Sequence, residues 1–290
     1  KNVAIVGDSG RDATFLTSKS QGYRFLYINN ADAVVQGVTL TNCLHKTDQR
    51  QGGTVYIGPY GGSLLDCRIT CSTNTIIFLE GMVYAAAGLI DRCVFDHNKV
   101  AKYPNYMNYT FVTLGGSATM RNTLIYDNEV EWGDNGVVYL VSGSVLQNCT
   151  IYNNKMRNGS GIYTPVNNLA RIENNISWSN TWIRTDVTTE TGVLNQNYAL
   201  GTSTATTKTK NNCIPIAVGT DCVTGDPRLK NAAAGKLGLL GTSPCRNTGL
   251  NDSSWMTAGK DCAGIARLVE SRVDIGAFEC PASGTMFLFR

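Results

Sequence analysis

The sequence predicts an all-β protein folded as a single-stranded parallel β-helix, and two observations support this prediction: a repeat and a strand-like alternation. A seven-residue segment recurs at residues 66–72, 92–98, 122–128, 148–154 and 174–180, with a weaker copy at residues 37–43. The second positions of these copies are 29, 26, 30, 26 and 26 residues apart. A period of this size is typical of solenoids, in which one supersecondary unit is stacked many times.

Each copy alternates like a strand with one buried face. Apolar residues lie two positions apart, as in Cys93 with Phe95 and Cys149 with Ile151, and this is the period of a β-strand. No segment has convincing helical periodicity, and the leucine-asparagine signature of leucine-rich repeats is missing. We therefore predict one elongated domain, with the β-helix at residues 1–250 and an irregular C-terminal capping segment at residues 251–290.

Asparagine marks the two ends of the repeated segment. It occupies the first position in the last three copies and the seventh position in the last four. Its short amide bonds to local backbone and tolerates a left-handed conformation, which predicts turns at both positions. Equivalent residues of adjacent coils lie about 4.8 Å apart, so we also expect the amides to bond one another from coil to coil.

The composition argues against some classes of function. The net charge is only +3, charged residues make up 16% of the chain, and no lysine or arginine cluster is present, which disfavours nucleic-acid binding. No apolar run is long enough to span a bilayer. The chain begins on a predicted strand at residues 3–6 without a cap or a signal peptide before it, so we expect both to belong to a longer precursor.

The ten cysteines fall into two groups. Those that share one inward position, Cys67, Cys93 and Cys149, are predicted to be small buried core residues. No spacing resembles a zinc site, and we predict no metal site. The other cysteines allow several disulfides whose connectivity the spacing leaves open. The alternatives are Cys213 with Cys222, Cys43 with Cys71, and a pair drawn from Cys245, Cys262 and Cys280.

Four motifs follow one another after residue 225. They are residues 226–229 (DPRL), residues 243–249 (SPCRNTG), the spaced Asp261, Gly264 and Arg267, and residues 273–279 (VDIGAFE). Together they resemble the C-terminal signature of bacterial surface proteins with a pectate-lyase-like right-handed β-helix, the choice-of-anchor Q family, which is common in Bacteroidetes. The resemblance covers nearly the whole chain. It implies a right-handed, pectin-lyase-like solenoid and an extracellular or cell-surface location, and it implies no single reaction.

The same C-terminal segment contains four charged residues in an otherwise apolar stretch: Asp261, Arg267, Asp274 and Glu279. An arginine between carboxylates favours a bidentate ion-pair network. We expect this network to close the open end of the solenoid, where strand edges must be covered. The alternative is a catalytic acid pair formed by Asp274 and Glu279.

Two rows of aromatic residues are predicted on the outer surface. Stacking aligns the fifth positions of successive copies, and a second, less regular row also contains Tyr56 and Tyr84. Exposed aromatic rows suit stacking against sugar rings, although the rings can instead cover the sheet or lie beneath a loop. The predicted glycan-binding residues are Tyr126, Tyr152 and Trp178 in the first row and Tyr139 and Tyr163 in the second.

Acidic residues near the middle of the chain are the candidates for catalysis. Asp96, Asp127 and Glu129 can supply the two carboxylates that a glycosidase needs, and His97 is equivalent to Asp127 one coil earlier. A polysaccharide lyase needs a base, and cations such as arginine, lysine or Ca²⁺ that stabilise the developing charge. The basic residues here are scattered. A solvated loop accounts for the acidic residues more simply, and His97 suits a turn.

Three functions remain open from the sequence. We favour a secreted or cell-surface protein, a monomer without a cofactor, that binds a polysaccharide or another glycan through its aromatic rows. The second is a polysaccharide lyase or glycoside hydrolase, with Ca²⁺ as the cofactor of a lyase. The third is a structural adhesin or spacer that binds a protein. Fold alone does not choose among them.

Overall fold

The computed structural model describes residues 3–18, 22–45, 51–75, 81–101, 110–131, 135–157, 159–165, 169–183, 198–200, 208–251 and 253–282. In these ranges the chain winds into a right-handed parallel β-helix of about six turns, which confirms the predicted fold class. The solenoid strands are, in chain order, β1 (Ala4–Val6), β2 (Phe15–Thr17), β3 (Leu26–Ile28), β4 (Val34–Gln36), β5 (Thr39–Thr41), β6 (Leu44–His45), β7 (Val55–Ile57), β8 (Ser63–Leu65), β9 (Arg68–Thr70), β10 (Thr73–Asn74), β11 (Val83–Asp91), β12 (Val94–Asp96), β13 (Lys99–Val100), β14 (Val112–Arg121), β15 (Leu124–Tyr126), β16 (Glu129–Val130), β17 (Val138–Leu140), β18 (Val145–Gln147), β19 (Thr150–Tyr152), β20 (Lys155–Met156), β21 (Ile162–Thr164), β22 (Arg171–Glu173), β23 (Ile176–Trp178), β24 (Thr181–Trp182), β25 (Tyr198–Leu200) and β26 (Thr209–Lys210).

Three parallel sheets run along the solenoid in the described part of the chain. Sheet A has thirteen strands, sheet B has seven and sheet C has six. Sheet B contains β2, β5, β9, β12, β15, β19 and β23 in spatial order, and sheet C contains β6, β10, β13, β16, β20 and β24. The remaining solenoid strands form sheet A, in which the long strands β11 and β14 join two rows of shorter strands. Each turn of the chain thus extends all three sheets by one position.

Left-handed residues make the two corners that flank the last six strands of sheet B. At the first corner, φ lies between 48° and 57° for Asp66, Arg92, Asn122, Asn148 and Asn174. At the second corner, φ lies between 49° and 56° in six successive coils, from Asn42 to Ser179. Asparagine and aspartate adopt this conformation more readily than other residues that carry a Cβ. The turn predicted from the first-position asparagines is therefore a backbone requirement of the first corner. At the second corner the left-handed residue is the one before the seventh-position asparagine, so the turn predicted at that asparagine lies one residue earlier.

The core is a stack of equivalent inward residues. Leu40, Ile69, Phe95, Ile125 and Ile151 occupy one register position of sheet B in consecutive coils, and each is fully buried. Burial of such side chains is the main favourable term in folding. The predicted core cysteines, Cys67, Cys93 and Cys149, are also fully buried, which confirms that prediction.

An asparagine ladder runs along the corner between sheets B and C. The main-chain N–H of Asn98 donates to Asn128 Oδ1 at 3.0 Å, Asn128 Nδ2 donates to Asn154 Oδ1 at 2.9 Å, and Asn154 Nδ2 donates to Asn180 Oδ1 at 3.0 Å. Each amide also donates to main-chain carbonyls, as Asn154 does to Ile125 O at 3.0 Å. The expected bonding of amides from coil to coil is therefore confirmed.

The C-terminal segment, residues 226–282, folds back against the side of the solenoid. It contains the antiparallel strands β27 (Leu229–Asn231) and β28 (Lys236–Leu239), a 3₁₀ turn at Ala232–Ala234 between them, and the short helix α1 (Trp255–Ala258). The first corner of the coils holds it, because Asn148 Nδ2 donates to Asp274 O at 3.1 Å and Asn174 Nδ2 donates to Leu250 O at 3.0 Å. It reaches the first coils too, where Arg11 Nη2 donates to Cys262 O at 3.0 Å. The segment expected to cap one end thus lies lengthwise, and the domain boundary at residue 250 stays a prediction.

The four charged residues of this segment form a buried cluster. Arg267 Nε lies 3.0 Å from Glu279 Oε1, and Asp274 accepts the N–H groups of Asn247 and Cys280 at 2.7 and 2.6 Å. Asp261 Oδ2 accepts the Glu279 N–H at 2.8 Å. Of the expected ion-pair network, the structure contains the contact of Arg267 with Glu279, whereas Asp261 and Asp274 accept main-chain N–H groups and Arg267 Nη2 donates to main-chain carbonyls. Asp274 and Glu279 are almost fully buried, which removes both from contact with solvent and disfavours their role as a catalytic pair.

The cysteine thiols are free in this structure, and they are arranged differently from the expected pairs. Cys43 is buried and Cys71 is exposed, because Cys71 belongs to a left-handed corner whereas Cys43 lies in the adjacent inward position. Cys222 Sγ donates to Val218 O at 2.7 Å, and Cys213 contacts Cys245 instead. Neither of the pairs Cys43 with Cys71 and Cys213 with Cys222 is bonded in this structure.

Candidate functional site

The first aromatic row lies on the outer face of sheet B, as expected. Register pairs Asp96 with Tyr126, Tyr126 with Tyr152, and Tyr152 with Trp178, so the acidic and aromatic residues continue one row across four adjacent strands. Adjacent positions in such a row are about 4.8 Å apart. The side chains of the three aromatic residues are half-buried, and the tertiary structure explains why.

The hairpin of β27 and β28 covers one end of this row. Leu229, Ala232 and Leu237 of the hairpin pack in one cluster with Tyr126 and Tyr152. The tip comes closest at Gly235, which has a φ of 69°, and a Cβ built there would lie 3.5 Å from the Tyr126 ring. Tyr126 is therefore covered by the hairpin rather than available along its whole face.

A cleft remains open beside the hairpin, where the other two aromatic residues lie. Its volume is about 340 Å³, and Tyr152 and Trp178 form its wall on the solenoid side. The start of the C-terminal segment contributes the other wall, through Asp226, Pro227 and Arg228. Concave sites with an aromatic surface and a few polar groups are typical of small-ligand and saccharide recognition.

The polar wall of the cleft is held in place by its own hydrogen bonds. Asp226 Oδ1 accepts the main-chain N–H of Arg228 at 2.8 Å, and Arg228 Nη1 donates to Thr242 O at 3.0 Å. Arg228 has a left-handed φ of 50°, which this aspartate turn stabilises. The sequence motif at residues 226–229 indicated a family resemblance. It did not predict that this segment lines a cleft together with Trp178.

The predicted catalytic residues Asp96, His97 and Asp127 do lie together, next to Tyr126. His97 Nδ1 is 2.7 Å from Asp96 Oδ2, and His97 Nε2 is 3.9 Å from Asp127 Oδ2. Asp96 is fully buried and forms a bidentate ion pair with Arg68, at 2.7 and 2.6 Å. The hydrogen bonds to Asp96 raise the pKa of Arg68, and burial followed by the Asp96 charge raises the pKa of Tyr126.

These contacts assign different roles to the three residues. Asp96 accepts bonds from Arg68, His97 and Thr70, so it serves as a buried hydrogen-bond acceptor that orients the His97 ring. His97 is 55% exposed at its side chain and has the left-handed backbone of a corner residue. Asp127 is partly exposed and accepts a hydrogen bond from Asn153 at 2.6 Å.

The fourth predicted catalytic residue, Glu129, lies apart from this group. It belongs to β16 of sheet C, around the second corner from Asp127. Lys99 Nζ lies 3.5 Å from Glu129 and 2.6 Å from Glu131, and the Glu131 contact is the main cause of the raised pKa of Lys99. Among the described residues no group of three or more histidine, cysteine or acidic side chains is arranged to hold a metal ion.

The second aromatic row lies on sheet A and is divided by Thr113. Tyr139 and Tyr163 stack with ring centroids 5.7 Å apart and an interplanar angle of 17°. On the other side of Thr113, Tyr56 stacks on Tyr27 with centroids 5.3 Å apart. Tyr27 extends the row by one coil, and the sequence pattern missed it because the first coil lacks a clear copy of the repeat.

Comparison with known proteins does not assign this chain to a family. No protein-family model matches it, and neither the curated proteins nor the solved structures gave a match. No helix among the described residues is long and apolar enough to cross a membrane. The function must therefore be inferred from the site itself.

Proposed function

We propose that this protein binds a glycan in the cleft between Tyr152, Trp178 and residues 226–228. The observation that carries the proposal is the cleft, which two aromatic residues of one row line together with Asp226 and Arg228. Sugar rings offer an apolar face that stacks on aromatic rings and hydroxyl groups that bond to charged side chains. The cleft supplies both kinds of contact within one site.

The rigidity of both walls supports recognition by a preformed site. Tyr152 and Trp178 belong to β19 and β23, whose strands are paired in register, and Arg228 is fixed through Asp226 and Thr242. A preformed site loses less conformational entropy when a ligand binds. A stacked ring contributes about 0.5–1.5 kcal/mol in addition to about 1 kcal/mol or more for the area that it buries. Loss of one ring should therefore weaken binding about tenfold or more.

The test is a glycan-binding screen of the purified protein followed by titration of the best ligand. We expect Trp178→Ala and Tyr152→Ala to weaken binding about tenfold or more. The control is Tyr60→Ala, because Tyr60 is 74% exposed and lies outside the cleft. Equal affinity of the two cleft variants and the parent protein would contradict the proposal, provided that circular dichroism finds all variants folded.

The group of Asp96, His97 and Asp127 supports catalysis as a second candidate, because Asp96 continues the row beyond Tyr126 and His97 lies between the two carboxylates. The screen should therefore also measure new reducing ends and unsaturated uronic products, with and without Ca²⁺, the cation that a lyase would use. If such products are released, Asp127→Asn should abolish their release and leave glycan binding in the cleft intact. Absence of both glycan binding and product release would favour a structural adhesin or spacer.

We also propose an extracellular or cell-surface setting for the protein, as a monomer. The support is the resemblance of its C-terminal motifs to choice-of-anchor Q proteins with a pectin-lyase-like fold. Size-exclusion chromatography with light scattering tests the monomer, and a dimer at micromolar concentration would refute it.

A further inference from the structure

Two buried cysteines meet where the C-terminal segment joins the last described coil. Cys213 extends the solenoid, since its N–H donates to Asn175 O at 2.7 Å and it bridges to Ile176. Cys245 lies in the turn after β28, where its carbonyl accepts the N–H of Ile275 at 2.9 Å. The two residues are fully buried in one apolar cluster with Ile176, Leu239 and Ile275. In this cluster the Cys213 thiol lies next to Cys245 and 3.5 Å from Gly225 O.

The other cysteines nearby have different surroundings. Cys222 is only partly buried and donates to a carbonyl of its own loop. Cys262 belongs to a different cluster, and its thiol lies 3.6 Å from Cys93 O. Cys280 lies at the edge of the same cluster as Cys213 and is 8% exposed. The contact thus selects one pair from the several that spacing allows.

The environment makes this pair unreactive once the protein is folded. Contact with Cys245, followed by burial, raises the pKa of the Cys213 thiol. Thiol–disulfide exchange proceeds through a thiolate and needs access to the attacking reagent, and both are suppressed in this cluster. Any bond between these cysteines must therefore form while the C-terminal segment is still folding.

We propose that Cys213 and Cys245 form a disulfide when the chain folds in the presence of a disulfide oxidant such as oxidised glutathione. Each cysteine thiol gives up one proton and one electron as the new S–S bond forms. The S–S bond of oxidised glutathione breaks and takes up those electrons and protons, giving two molecules of glutathione. The bond would tie the last described coil to the segment that builds the polar wall of the cleft.

The consequence for stability follows from the length of chain between the two cysteines. Residues 214–244 lie between them, and a crosslink that closes a loop of this size restricts the unfolded chain. Reduction should therefore lower the denaturation midpoint. This expectation depends on the pairing alone and not on whether the cleft binds a glycan.

The first experiment maps the disulfide in protein refolded with oxidised and reduced glutathione. Free thiols are alkylated, and the protein is cleaved before Asp221 and Asp226 and after Arg246, which separates Cys213, Cys222 and Cys245 onto different peptides. We expect a linked pair of peptides that contain Cys213 and Cys245, with alkyl groups on the other eight of the ten cysteines. Alkylation of Cys213 and Cys245, or a link from either to Cys222 or Cys280, would overturn the proposal.

The second experiment compares denaturation with and without a reducing agent. The parent protein and the control variant Cys222→Ser should lose stability on reduction, whereas Cys213→Ser and Cys245→Ser should not respond. An equal response of all four proteins, or no response of the parent, would refute the pairing. If the buried serines prevent folding, the peptide map of the parent protein still decides the question.

Discussion

Asn154 lies inside the asparagine ladder, and its replacement by alanine should destabilise the protein strongly. The Asn154 side chain is fully buried. Its Oδ1 accepts the main-chain N–H of Asn128 at 3.1 Å and Asn128 Nδ2 at 2.9 Å. Its Nδ2 donates to Ile125 O at 3.0 Å, to Tyr152 O at 3.2 Å and to Asn180 Oδ1 at 3.0 Å. One amide thus connects three coils.

The magnitude follows from the groups that Asn154→Ala leaves behind. The Asn128 N–H loses its side-chain acceptor in a buried place, at a cost of about 1–3 kcal/mol. The two donor hydrogens of Nδ2 serve three acceptors, and each lost bond costs about 0.5–1.5 kcal/mol net. Together we expect a loss of about 2–6 kcal/mol in the free energy of unfolding, which is a large part of the stability of an ordinary domain.

The assay is urea denaturation followed by circular dichroism and tryptophan fluorescence. The matched control is Lys155→Ala, because Lys155 is the next residue and its side chain is exposed. A surface change of this kind should alter stability by less than about 0.5 kcal/mol. If Asn154→Ala unfolds at the same urea concentration as Lys155→Ala, the ladder contributes little to stability, and the asparagine repeat must have another cause.

Two further predictions concern the core and the buried charges. Ile151→Asp should unfold several coils together, since the inward stack is continuous and each coil contacts only its neighbours; thermal melting like that of the parent protein would contradict this. Burial raises the pKa of Glu279 from 4.5 to about 8 despite the nearby Arg267 charge, so the folded protein keeps a proton that the unfolded chain releases. The stability from this group is therefore fully present below pH 4.5 and is lost as the pH rises towards about 8. Urea unfolding at several pH values across this window should find a decline in the parent protein and a flatter profile in Glu279→Gln, and equal slopes would refute the assignment.

The sequence alone predicted the coil, its register and the first of its two corners. These features depend on local periodicity, because the same residue type must recur wherever every coil needs a left-handed corner or an inward side chain. The positions of Asn122, Asn148 and Asn174 thus predicted turns, and Phe95 and Ile151 predicted the core. The row of Tyr126, Tyr152 and Trp178 followed for the same reason, since equal spacing becomes adjacency once the coils are stacked.

Only the tertiary structure decided how the irregular C-terminal segment meets that row. Gly235 covers Tyr126, and Arg228 lines the same cleft as Trp178. Neither arrangement follows from the repeat period, because the C-terminal segment does not repeat. The contact of Cys213 with Cys245 is of the same kind, because it depends on where a non-repeating segment turns. Stacking translates sequence spacing into distance within the solenoid, whereas packing of the segment against it depends on the shapes of both surfaces.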